Sequence, residues 1–280
     1  MNMNIQIYEQ KGYLNNDYQF FHIRDKEKID IPFHYHDFDK LILVLSGNVK
    51  YIIEGREYEL LPFDFVLVNR YDIHKPVVSE DSDIYDRIIL YIKHDFLENL
   101  GLLDAFKKSS ELESHVVRFP ANVSAEIYDA FINAEKDIKV EDKEYAGKLI
   151  SRIDIIRALI SFNKACISEN FGFTPEARYN RKVIDILEYI NENLQKDLTI
   201  ERLADHFYMS KFHMMRIFKQ ETGYSVHQYV SEKRILYARS LIMGGMPATT
   251  ACLESGFNDY SSFSRAFKAQ LGMLPSDVKI

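Results

Sequence analysis

Two stretches of this chain, "RIFKQETG" from Arg216 to Gly223 and "RAFKAQLG" from Arg265 to Gly272, share the pattern R-x-F-K-x-x-x-G at an offset of 49 residues. The same offset pairs Met214 with Phe263, Tyr208 with Phe257, and Ser210 with Asp259. An internal repeat means one supersecondary unit used twice, and two copies are too few for a solenoid, so each unit must close a small core of its own. In each copy apolar residues four apart, Met214 and Phe218 or Phe263 and Phe267, fall on one face of a helix. Ser210 and Asp259 stand where an N-cap accepts the free amides of a first turn. The opposite face is left to serines, arginine and lysine.

Helical patterning surrounds both copies. "RKVIDILEYINENL" sets Val183, Ile184, Leu187, Tyr189 and Ile190 on one side, and "LTIERLADHF" starts at Thr199 and buries Ile200, Leu203, Ala204 and Phe207. Gly223 ends the helix that begins at Ser210. "SVHQYVSEKRILYARSLIMGG" predicts a long helix closed by Gly244 and Gly245, and Pro247 suits the first turn of the next one. Each repeat therefore reads as a short helix, a tight turn and a second helix with a polar, arginine-bearing face. That is helix-turn-helix anatomy, in which the second helix enters a major groove. Charge adds weak support: 14 lysines and arginines face 12 acids from Glu176 onward, against 21 and 30 before it.

At this point the chain resembles a known family. The stretch from Arg181 to Ile280, through "LADHFYMSKFHMMRIFKQETGYSVHQYVSEKRILYARSLI" and "ACLESGFNDYSSFSRAFKAQLGMLPSD", is similar to the AraC/XylS class of bacterial transcription regulators. The resemblance implies two helix-turn-helix units joined by a rigid helix, about Val226 to Met243, that insert into successive major-groove segments of double-stranded operator DNA. Matched to the family pattern, Phe212, Met215 and Arg216 face bases from the first recognition helix, and Ser261, Ser262, Ser264 and Arg265 from the second. Lys211, Lys219 and Lys268 fall to phosphates. The first helix is unusually apolar, which suits thymine methyls and DNA shape, although Met215 also reads as a buried spacer.

The N-terminal part carries a different period. "KLILVLSG", "NVKYIIEG", "REYELLP", "DFVLVN" and "YDRIILYIK" are short β-rich runs with turn punctuation, and "IIEGRE" reads as a hairpin around Glu54 and Gly55. "FHYHDFDKLILVLSG" followed by "LLPFDFVLVNRYDIH" resembles the cupin barrel that many AraC-type regulators carry as an effector domain. The fold expected is α+β in two domains: a cupin-like jelly-roll barrel with a helical dimerisation segment, then an all-α double helix-turn-helix. The divisions expected are 1–120 for the barrel, 121–170 for the helical segment, 171–180 for a linker and 181–280 for the DNA-binding domain.

His34-x-His36 with a later His74 invites a metal. Metal cupins place a carboxylate four residues after the second histidine, and here that place holds Lys40, a cation that repels a divalent ion. No metal and no cofactor is therefore expected. The readings left are histidines bonded to their neighbours, or polar contacts from His34, His36, Lys40 and His74 to an effector such as a sugar or organic anion in the barrel mouth. Between barrel and linker, two helices are expected at Asn122–Lys139 and Glu144–Glu169. The second places Leu149, Ile153, Ile156, Ile160 and Ile167 on a heptad-like seam, with Asn163 at the missing position. Ile155, Leu159 and Phe162 form a second stripe. The seam predicts a homodimer, or else a pair with the preceding helix.

No Walker motif, HExxH or nucleophile elbow occurs, and Cys166 and Cys252 sit in helical patterns as buried thiols. No apolar run approaches membrane length and no leader is evident, so a cytoplasmic protein with no membrane partner is expected. The function expected is an effector-responsive, sequence-specific transcription regulator, not an enzyme, with RNA polymerase as partner if it activates. The alternatives are a constitutive regulator with an inert barrel and, less favoured, a metal-dependent cupin enzyme.

Overall fold

Strands buried on both faces set the architecture of the first of two compact units, Met1–Arg178 and Tyr179–Ile280. The computed structural model describes residues 11–278 other than 13, 15, 27–30, 83, 141–146, 169–171, 176 and 177. Its strands are β1 (Lys11–Gly12), β2 (Tyr18–Asp25), β3 (Tyr35–His36), β4 (Asp39–Ser46), β5 (Val49–Ile53), β6 (Arg56–Glu59), β7 (Phe65–Val68), β8 (His74–Val78), β9 (Tyr85–Ile92), β10 (Val116–Val117) and β11 (Phe173–Thr174). One sheet runs β11-β10-β7-β4-β9-β2, and β6-β5-β8 follow one another in a second. The expected hairpin is present: Ile53 pairs with Arg56, and Glu54 and Gly55 both take positive φ, 44° and 77°, the geometry of a type I′ turn.

Alternation on β4, β7 and β9 divides two cores. Leu41, Leu43, Phe65, Leu67, Ile88, Leu90 and Ile92 face one, and Ile42, Val44, Val66, Val68, Ile89 and Tyr91 face the other. The second core also takes Val49, Tyr51 and Ile53 from β5. The first is closed by α1 (His94–Asn99), α2 (Asp104–Glu111), α3 (Ala121–Val140) and α4 (Gly147–Ile167). The expected long helices are therefore present, while α1 and α2 were not foreseen. Residues 144–146 and 169 of the expected second helix lie outside the described residues, as do 171, 176 and 177 of the expected linker, in which Phe173 and Thr174 pair with Val117 and Val116.

Helix α4 carries its two stripes unequally. Ile155, Leu159 and Phe162 are buried against the sheet, whereas Leu149, Ile153, Ile160 and Ile167 are exposed. Ile156 is only half-buried and packs on the same core. Asn163 does not belong to the seam. It is buried, and its Oδ1 accepts the Ala105 amide at 2.8 Å. Because Leu103, at the N-cap of α2, makes no side-chain cap bond, Asn163 supplies that cap from another helix.

The second unit holds α5 (Arg181–Glu192), α6 (Ile200–His206), α7 (Lys211–Thr222), α8 (Val226–Met243), α9 (Ala248–Glu254) and α10 (Tyr260–Leu271). Thr199, Ser210 and Asp259 cap α6, α7 and α10 through their side chains, and α7 and α10 both stop at a left-handed glycine, Gly223 and Gly272. Pro247 sits at the N-cap of α9, one position before the helix proper. Met214 and Phe218, and Phe263 and Phe267, are fully buried. The pairing of Tyr208 with Phe257 is corrected. The left-handed residue that ends the first short helix is Tyr208, and its counterpart is Gly256. Met209 and Phe257 then make matching amide bonds to Ala204 O and Cys252 O. The short helices are thus 48 apart, and Asn258 lengthens the second turn by one residue. Among the described residues no helix is long and apolar enough to cross a membrane.

Asn163→Ala leaves the Ala105 amide buried without an acceptor. The expected cost is about 1–3 kcal/mol of first-unit stability, read by calorimetry of the full chain, with Asn163→Asp losing less.

Candidate functional site

The inward register of β4 puts Lys40 inside the barrel, directly across from Tyr91 on β9. His36 arrives on β3, and His34 and His74 face each other across a bridge in which each amide bonds the other's carbonyl, at 3.1 and 2.9 Å. The four expected residues are therefore gathered, and all are buried, Lys40 to 3% exposure. This is interior and not a mouth. Lys40 Nζ lies 3.2 Å from His36 Nε2 and 3.0 Å from His74 Nε2.

Backbone carbonyls orient two of the rings. His34 Nδ1 donates to Pro32 O and His74 Nδ1 to Asp72 O, both at 2.8 Å, so each Nε2 presents a lone pair. Burial, reinforced by Lys40, holds His34 down at about 3 and His36 and His74 well below the usual histidine range. Burial also lowers Lys40 to about 7. The rings are neutral acceptors around an amine poised between its two forms. Among the described residues His34 Nε2 and His36 Nδ1 have no hydrogen-bond partner, so the cluster keeps unspent polar capacity.

One nitrogen from each histidine lies within 4.8 Å of the others, a metal-like grouping. The donor set nevertheless does not suit a divalent ion. Lys40 Nζ engages one nitrogen of His36 and the Nε2 of His74, whose Nδ1 is already given to Asp72 O, and the carboxylate of metal cupins is replaced by an amine.

The sequence reading missed the rest of this interior. Tyr85, Arg87 and Tyr91 alternate inward on β9, with the Arg87 guanidinium 4.0 Å from the Tyr85 ring centroid and Lys40 Nζ 5.1 Å from that of Tyr91. Arg87 Nη1 donates to Tyr85 O at 3.0 Å and pairs with Asp25 at 2.5 Å. Tyr51 stacks at 6.1 Å on His74. The available signal was the alternation of Tyr85, Arg87, Ile89 and Tyr91 on one face of a strand whose only other charged residue is Asp86.

In the second unit the residues assigned to DNA form two matching faces. Phe212, Met215, Arg216 and Lys219 lie at i, i+3, i+4 and i+7 on α7, and Ser261, Ser264, Arg265 and Lys268 repeat that spacing on α10. Phe212 is 81% and Met215 41% exposed, so Met215 is not a buried spacer. Ser261, Ser262 and Arg265 are exposed and Ser264 half-buried. Arg265 folds back on Ser261 O and Ser262 Oγ, both at 3.3 Å, and Arg216 lies 3.3 Å from His213, an exposed residue that the sequence reading did not single out. Lys211 is held by Glu201 at 2.9 Å.

Comparison with known proteins matches both halves. Residues 203–279 fit the model of a helix-turn-helix domain, and residues 21–84 that of a cupin domain. The HTH-type transcriptional activator RhaS of Mannheimia succiniciproducens is 23% identical over 284 residues, covering 96% of this chain and 97% of its own. RhaS of Escherichia coli is 22% identical over 254 residues, covering 89% and 88%. Among solved structures, ToxT from Vibrio cholerae O395 aligns over 93% of this chain and 96% of its own, at 14% identity and a TM-score of 0.36. With a cupin domain ahead of a helix-turn-helix domain, and transcriptional activators as relatives over nearly its whole length, the chain has the make-up of a DNA-binding transcription regulator, similar to those of the AraC family, and not that of a cupin enzyme.

Proposed function

We propose that the chain reads double-stranded operator DNA with both α7 and α10, as a homodimer whose DNA affinity is set by a small polar effector held in the barrel. The observation that carries the DNA reading is the pair of matching exposed faces, each beginning just after a capped N-terminus and each backed by a buried aromatic core. Arg216 and Arg265 supply the guanidinium forks that distinguish guanine, Ser261, Ser262 and Ser264 allow close approach, and Phe212 and Met215 offer apolar contact to thymine methyls. Lys211, Lys219 and Lys268 approach phosphates. Such a protein acts where the genomic DNA lies, in the cytoplasm. The curated relatives are named activators, and activation brings RNA polymerase as a further partner.

The effector reading rests on the unspent His34 Nε2 and His36 Nδ1. His34 Nε2 requires a donor. Lys40 has a proton to give and touches no carboxylate among the described residues, so a sugar, or an organic anion that also carries a hydroxyl, satisfies both ends: its hydroxyl donates to His34 Nε2 and its oxygen accepts from Lys40. The dimer reading rests on α4, whose Leu149 is 58% and Ile160 49% exposed along with Ile153 and Ile167. Ile156 joins this seam only at its edge.

Arg216→Ala and Arg265→Ala should each cost roughly 1–3 kcal/mol on the operator and relax preference at one base pair. Lys219→Ala should weaken all sequences alike and flatten the salt dependence. Equal losses on operator and random DNA for both arginines remove the base-reading role.

Ile160→Asp should split the dimer, since a charge would be buried at its centre, and sedimentation checks this. A wild-type monomer at high micromolar concentration contradicts the seam.

A thermal-shift screen of sugars and organic acids should find a compound that raises the melting temperature of the full chain, because a ligand of the native state stabilises it. Lys40→Met should abolish that shift and leave basal DNA binding intact. No DNA response to any compound favours the constitutive regulator.

A further inference from the structure

Arg234 lies within α8, the helix that joins the two helix-turn-helix motifs. Its Nε donates to Leu194 O at 2.8 Å and its Nη2 to Lys196 O at 2.6 Å, two carbonyls of the loop that leads into α6. Gly256, in the turn between α9 and α10, comes to the same place. A Cβ on it would stand 2.2 Å from Leu194 O and 2.8 Å from Arg234 Nε. Its φ of +90° is also one that other residues resist. The loop before the first motif, the connecting helix and the turn of the second motif thus converge on one guanidinium.

Two other polar contacts of α8 each reach one motif. Tyr229 Oη donates to Asn191 Oδ1 at 3.2 Å, and its ring packs on Phe218 at 5.5 Å. Gln270 Nε2 donates to Glu232 O at 3.1 Å. These contacts tie α8 to one motif at a time. The Arg234 junction touches both at once, and a planar fork on two carbonyls resists rotation in a way a lysine ammonium does not. Pivoting matters because two recognition helices serving one DNA face must enter grooves about one helical turn, roughly 34–36 Å, apart.

We propose that the Leu194–Arg234–Gly256 junction sets the distance and rotation between the two recognition helices, and therefore the spacing of the two DNA segments that one chain reads. Arg234 and Gly256 are positioning residues, and the proposal rests on the reading of both motifs as DNA-binding.

The test uses the full chain. Wild-type protein selects its operator from a random duplex library, and affinity is then measured for that operator, for versions with one or two base pairs inserted between the two segments, and for each segment alone. The wild type should lose on the order of 100-fold on insertion. Arg234→Ala and Gly256→Ala should bind the native spacing about tenfold more weakly yet lose only a few-fold more on insertion, with single-segment affinity unchanged and Arg234→Lys between them and the wild type. Circular dichroism confirms that the helices persist, and if Arg234→Ala does not fold, Gly256→Ala and Arg234→Lys carry the comparison. Variants that weaken every spacing by the same factor, or keep the wild-type ratio, overturn the junction as a ruler. A wild type that tolerates insertion overturns it too, while a wild type that selects no sequence overturns the two-motif reading beneath it.

Discussion

Strands β4 and β9 are buried along both faces, and the first unit is organised by that constraint. A sheet with two apolar faces must be covered twice. One face takes the second sheet and the other takes four helices. Two-sided burial also decides the chemistry of the interior. A lysine on a strand with one wet face would point outward, but the register of β4 sends Lys40 into the closed interior, where it is buried. There its amine has to be satisfied by imidazoles held neutral by the same burial. The polar cluster follows from how completely the sheet is enclosed.

The parts of the fold that were legible in the sequence are those written locally. Caps at Ser210 and Asp259, stops at Gly223 and Gly272, and rings four apart each act within a few residues, and each appears where expected. The hairpin at Glu54–Gly55 is of the same kind. What was not legible depends on tertiary context. β8, "HKPVV", hides behind a proline that the edge of a sheet tolerates. α1 and α2, at six and eight residues, are too short for a helical period to stand out. Asn163 looked like a polar place in a seam because spacing alone does not show that a neighbouring helix lacks a cap. Arg87 was passed over because a charge in a strand is ordinarily taken to face solvent, and only the closed barrel turns it inward.

The site divides along the same line. Gathering His34, His36, Lys40 and His74 needed only the two histidine segments and the spacing to Lys40. Their protonation and the tyrosines beside them needed the packed sheets. In the second unit, the offset of 49 aligned the long helices, because those carry the repeated pattern. It misaligned the turns, where one copy uses Tyr208 at a φ of 51° and is 97% exposed, while the other uses Gly256 pressed against backbone. A tyrosine is accommodated in the first turn because nothing crowds it.

The two proposed reading faces are alike in layout and unlike in chemistry. Phe212 and Met215 stand on α7 where Ser261 and Ser264 stand on α10. A DNA segment suited to one face is not suited to the other, so the sequence read by a single chain has a head and a tail. A reader built from two identical halves would sit on a palindrome equally well in either orientation. On the proposed reading each single chain would have handedness along the duplex, and a chain that tells upstream from downstream would present the same flank to transcription machinery every time it binds.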